Sequence, residues 1–110
     1  MNMARWMGIR RNVLAGAAEF ACGLACSAMA AQLAPHKIRV NAIAPGLIFT
    51  DTIRAELPKD EAARVMSQQI LSREGEERDI VEALLYLVSP ASSFVTGETL
   101  RVTGGFALSV

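Results

Sequence analysis

Apolar residues dominate positions 13 to 34, where Ala, Leu and Met recur without proline and Glu19 is the single charge. That pattern predicts a helix, ended by Pro35-His36-Lys37. Ile38, Val40, Ala42 and Ile43 then form a short apolar run halted by Pro45-Gly46, the signature of a mostly buried strand. After a loop, Pro58-Lys59-Asp60-Glu61 marks a helix start, with proline in the first turn and acids at the positive end of the helix dipole. Its apolar face is Ala62, Val65, Met66 and Ile70. A second loop, Leu71 to Glu76, leads into Glu77 to Val88, where Ile80, Ala83, Leu84, Leu87 and Val88 repeat at helical spacing before Ser89-Pro90. Thr99 to Thr103 alternates as a strand does and is closed by Gly104-Gly105.

The predicted order is helix, strand, helix, helix, strand. Strands joined by crossover helices are normally parallel and right-handed, so this is one unit cut from a doubly wound sheet. Two parallel strands make a poor sheet alone, because both faces need cover and both edges need neighbours. The length of 110 residues allows one domain or part of one. A hydrophobic content of 52% with 20% charged residues excludes a disordered chain. So apolar a short chain keeps some of that surface for a partner or for the rest of a fold.

Eleven basic and eleven acidic residues cancel, which argues against nucleic acid and against a polybasic membrane surface as partners. The balance is uneven, however. Arg5, Arg10, Arg11, Lys37 and Arg39 against Glu19 leave residues 1–40 at +4, and the remainder at −4. Arg10-Arg11 ahead of an apolar run, with Ala28-Met29-Ala30 beyond, gives a small exported protein as one reading. Glu19 inside that run favours a packed amphipathic helix in a cytoplasmic protein and weighs against a transmembrane span.

Cys22 and Cys26 are four apart, on one face of a helix, with no second ligand pair at zinc spacing, so no metal is expected and both read as structural thiols. His36, the only histidine, reads as a turn residue.

The stretch Leu33 to Thr52, LAPHKIRVNAIAPGLIFTDT, resembles the segment of short-chain dehydrogenase/reductases from the active-site helix through the sixth strand. A second block, Ser89 to Gly105, is similar to that family's C-terminal signature, and Arg73-Glu74-Gly75-Glu76-Glu77-Arg78-Asp79-Ile80 follows its Gly-Arg-x-Gly-x-Pro-Glu-Asp-Ile pattern with Glu77 in place of proline. The resemblance covers about residues 23–108 and leaves about 1–20 unmatched. It implies a single incomplete α/β domain over 1–110: a partial Rossmann-type doubly wound parallel sheet, its last two strands plus flanking helices. It also implies an oxidoreductase using NAD or NADP on a small carbonyl or alcohol. The cofactor-binding residues carried over are Pro45, Gly46, Ile48 and Thr50. The Ile48 backbone is assigned to the nicotinamide carboxamide and the Thr50 hydroxyl to carboxamide or phosphate, at the strand's carboxyl end where open α/β sheets bind ligands.

The family's catalytic tyrosine, and the lysine four residues later, find no counterpart. One register places Ala15 and Glu19 there, and a one-residue slip places Leu14 and Ala18. No catalytic residue is therefore assigned. Tyr86, the only tyrosine, reads as a helix-packing residue. The glycine-rich pyrophosphate turn belongs to the family's N-terminal half, which this sequence does not contain, as a truncated gene would leave it. The lid, about Asp51 to Leu71, offers Leu57, Met66 and Ile70 to an apolar substrate. The expectation is a C-terminal fragment of such an enzyme, inactive alone. The alternative is a non-catalytic assembly partner of full-length relatives. A homo-oligomer or a complex with such a relative is expected in either case.

Overall fold

A computed structural model describes residues 3–106, with side chains from Ala17 onward in the first helix. Its elements are α1 (Met3–Leu33), β1 (Ala42–Pro45), α2 (Asp51–Glu56), α3 (Lys59–Ser67), α4 (Glu77–Val88) and β2 (Thr99–Val102). Short 3-10 turns follow α1 at Ala34–His36 and α4 at Pro90–Ser92. The predicted order therefore holds, with α2 added inside what the sequence marks as loop. The helix expected from position 13 begins at Met3. The side chains of Arg10, Arg11, Leu14 and Ala15 lie outside the described residues.

β1 and β2 form a two-stranded parallel sheet. Ala42 N–H donates to the Glu98 carbonyl and Gly46 N–H to the Val102 carbonyl, each at 2.8 Å, so both strands advance together. β1 starts later than the apolar run from Ile38 because the Val40 N–H is taken by a side chain, the Thr96 hydroxyl, at 3.1 Å.

The chain divides into two compact units, one of Met1–Ala42 with Thr96–Thr99, the other of Ile43–Val95 with Leu100–Val110. In the first, small residues on one stripe of α1 let the Thr96–Thr99 segment lie against the helix. A side chain on Gly97 (φ +77°) would meet Ala30 Cβ at 3.6 Å, and Gly23 faces the Thr99 hydroxyl. Ser27 Oγ donates to the Gly97 carbonyl at 3.1 Å, and the Cys26 thiol sits 3.4 Å from the Val40 carbonyl. Cys26 and Ala30 are buried, whereas Cys22 is exposed. Although Ala17–His36 is by length and composition apolar enough to cross a membrane, these bonds give that stretch a protein neighbour.

In the second unit α4 turns its Ile80, Ala83 and Leu87 side inward, and only Leu87 of these is fully covered. Leu84 and Val88, expected on the same face, are exposed along with Val81 and Leu85. The helix ends on hydroxyls: Ser89 Oγ donates to the Tyr86 carbonyl at 2.9 Å, and the fully buried Ser92 Oγ to the Leu87 carbonyl at 2.9 Å.

Candidate functional site

The four residues singled out from the sequence run from the last residue of β1 to the cap of α2. Pro45 closes the strand and is exposed. Gly46 then passes so near β2's end that a Cβ on it would lie 2.8 Å from Thr103 Cα and 3.2 Å from Thr103 Cβ. Glycine is required here by a neighbouring backbone, a reason the sequence did not disclose.

Ile48 forms an isolated parallel bridge with Gly75, and the Phe49 N–H donates to the Gly75 carbonyl at 2.8 Å. In this bridge the Ile48 N–H is not used. Among the described residues neither it nor the Leu47 N–H has a hydrogen-bond acceptor. Thr50 is the N-cap of α2, and its Oγ1 accepts from the Ile53 N–H at 3.2 Å. That bond uses a lone pair and leaves the hydroxyl proton to donate elsewhere.

Charged residues brace this loop. Arg54 Nη2 pairs with Glu74 Oε2 at 2.7 Å while its guanidinium lies 5.4 Å from the Phe49 ring centre. Arg73 grips Asp79 with two parallel bonds of 2.7 and 2.6 Å. The Arg73 hydrogen bond, followed by that from the Glu76 N–H at the start of α4, holds the Asp79 carboxyl well below the usual carboxylate range. The same bond raises the Arg73 guanidinium further. The sequence pattern around Arg73 to Ile80 was legible, yet the pairing of its first and seventh residues was not.

Leu47 and Ile48 also line an open concavity of about 580 Å³, with Ile70, Leu71 and Val102 on its apolar wall and Arg73 at its polar side. Gly105 (φ +84°) abuts Ile70, whose N–H, like that of Leu71, donates to the Gly104 carbonyl at 2.9 Å, and this ties the end of the lid to the end of β2. Ile70 lies beyond the end of α3 and is exposed, unlike the half-buried Leu57 and Met66. Tyr86 is on α4 and exposed. Ala18 and Glu19 are on α1.

The donors present suit one end of a dinucleotide. Two adjacent N–H groups with no acceptor among the described residues and a hydroxyl with a spare proton can meet the oxygen of a nicotinamide carboxamide. Nothing in the sequence supplies the glycine turn for a pyrophosphate.

A family model described as "Enoyl-(Acyl carrier protein) reductase" matches residues 3–107. L-xylulose reductase of Mesocricetus auratus is 42% identical over 82 residues, 74% of this chain and 34% of that protein. The crystal structure of a 3-oxoacyl-[acyl-carrier protein] reductase from Brucella melitensis superposes with a TM-score of 0.79 at 35% identity, covering 84% of this chain and 34% of that one. A 4-hydroxyisoleucine dehydrogenase mutant, complexed with NADH and succinate, gives a TM-score of 0.75 at 32% identity, over 83% and 38% of the two chains. The chain thus spans about a third of the length of the curated relatives it matches. Matched over residues 3–107 by the family model and over 84% of its length by a solved reductase, the chain belongs to the short-chain dehydrogenase/reductase family.

Proposed function

We propose that this chain is the C-terminal portion of an NAD(P)-dependent short-chain oxidoreductase acting on a small carbonyl or alcohol in the cytoplasm. It carries the nicotinamide-side loop and the substrate lid and is inactive alone. The observation that carries the reading is the pair of Leu47 and Ile48 N–H groups that find no acceptor among the described residues, beside a capping threonine at the carboxyl end of a parallel strand. The nicotinamide, when bound, supplies or accepts the hydride. The Ile48 N–H would hold its carboxamide oxygen and the Thr50 hydroxyl would donate to the carboxamide oxygen or to phosphate, while the Thr50 lone pair caps α2 and Gly46 lies against β2. NADH in a related solved enzyme supports the cofactor class.

A general acid typically contributes about 10²–10⁴-fold, and neither register of the family motif offers a phenol here. Steady-state assays of the chain with NADH and NADPH against a panel of ketones should show no turnover, and calorimetry should show no low-micromolar dinucleotide affinity. Turnover abolished by Thr50→Ala would refute the inactive-fragment reading. A second reading, a non-catalytic assembly partner of full-length relatives, is favoured by the bare apolar side chains of α1 and α4, among them Phe20, Leu24, Leu85 and Val88.

A further inference from the structure

The loop that presents the Ile48 N–H is held by residues outside it. Between Arg73 and Glu76 the backbone is tied at three points. The Arg73 guanidinium spans both oxygens of Asp79, its Nη1 also donates to the Glu74 carbonyl at 2.9 Å, and the Glu76 N–H donates to Asp79 Oδ2 at 2.8 Å. Gly75 sits inside these ties. Its carbonyl receives the Phe49 N–H, and a Cβ on it would stand 2.7 Å from the Leu47 carbonyl, so the two segments touch backbone to backbone. A shift of Gly75 must therefore move Leu47 to Phe49, whose middle residue is Ile48.

We propose that Arg73 is a positioning residue. By gripping Asp79 it keeps the Gly75 carbonyl on the Phe49 N–H and so fixes where the Ile48 N–H meets the carboxamide, which rests on the cofactor reading above. The geometry depends on a planar fork that meets both carboxylate oxygens, and lysine cannot reproduce that. Both partners keep contact with solvent, so the effect is modest, about two- to fivefold, as for other exposed pairs. Arg54 Nη2 pairs with Glu74 Oε2 at 2.7 Å, a second tie on the same segment that does not involve Arg73.

The test uses the full chain labelled with ¹⁵N. Amide exchange is followed at Phe49 and along α4, and NADH is titrated while the Ile48 amide resonance is observed. In Arg73→Gln, Phe49 should exchange about two- to fivefold faster with α4 unchanged, and the NADH concentration that half-shifts the Ile48 resonance should rise by the same factor. Arg73→Lys should behave as Arg73→Gln does. Unchanged Phe49 exchange in Arg73→Gln overturns the proposal, as does full recovery in Arg73→Lys, which would reduce the residue to a point charge. Faster Phe49 exchange with an unaltered NADH response at Ile48 also overturns it. An Ile48 resonance unmoved by NADH in the unsubstituted chain would sink the cofactor reading instead, while Phe49 exchange would still decide whether Arg73 holds the loop. Should Arg73→Gln not fold, the unsubstituted chain at raised salt, which screens an exposed pair, is read the same way.

Discussion

Replacing Gly46 with alanine separates two reasons for that glycine, approach of a cofactor and approach of β2. The new methyl would stand 2.8 Å from Thr103 Cα, 3.2 Å from its Cβ and 3.3 Å from its carbonyl oxygen. Carbon atoms pack best at about 3.5–4.0 Å, so the backbone must yield by several tenths of an ångström. It must do so beside the 2.8 Å bond from the Gly46 N–H to the Val102 carbonyl. Overpacking of this kind costs about 1–3 kcal/mol, offset by about 0.4–1 kcal/mol from the reduced freedom of the unfolded chain. The net loss should be about 1–2 kcal/mol without any cofactor. Urea unfolding followed by circular dichroism at fixed protein concentration measures it. Thr103→Gly removes the Cβ contact but leaves the Cα and the carbonyl oxygen in place, so Gly46→Ala made in a Thr103→Gly background should still cost more than half as much. Stability equal to or above that of the unsubstituted chain, with only dinucleotide binding impaired, would refute the reasoning and make the glycine a ligand-approach residue.

Acid should loosen the same loop. The folded Asp79 carboxyl is held below its unfolded value, so its contribution is complete above about pH 4, near the ordinary aspartate value, and fades as pH falls toward the folded one. Phe49 protection, corrected for intrinsic exchange, should therefore drop below about pH 4 in the unsubstituted chain and stay flat in Asp79→Asn, and equal acid responses in the two would contradict the pairing. Bare apolar residues on α1 and α4 should drive association, so small-angle scattering should give a mass above the 11.8 kDa of one chain. Leu24→Glu together with Val88→Glu should lower that mass, and a compact monomer with cooperative unfolding in the unsubstituted chain would refute the expectation.

The order of elements, the parallel unit and the turn after β1 were legible in the sequence because they rest on local signals. Helical spacing from Ile80 to Val88, alternation from Thr99 to Thr103 and the breakers Pro35, Pro45-Gly46 and Gly104-Gly105 all act within a few residues of one another. The missing phenol and amine were equally plain, since no fold turns Ala15 and Glu19, or Leu14 and Ala18, into a tyrosine and a lysine. Tertiary structure alone decided the rest. The six-residue α2 is too short to form by propensity and exists where Thr50 caps it and Arg54 ties it to Glu74. Strand β1 loses its first residues because Thr96, distant in sequence, takes the Val40 N–H. Cys26 is buried with its thiol against the Val40 and Glu98 carbonyls, while Cys22, one turn earlier on the same face, is exposed. Gly46 is glycine because of Thr103, and Ile48 is placed by Gly75. Each of these depends on which residues, dozens of positions apart, come within hydrogen-bond or van der Waals reach. Periodicity within one element carries no record of that.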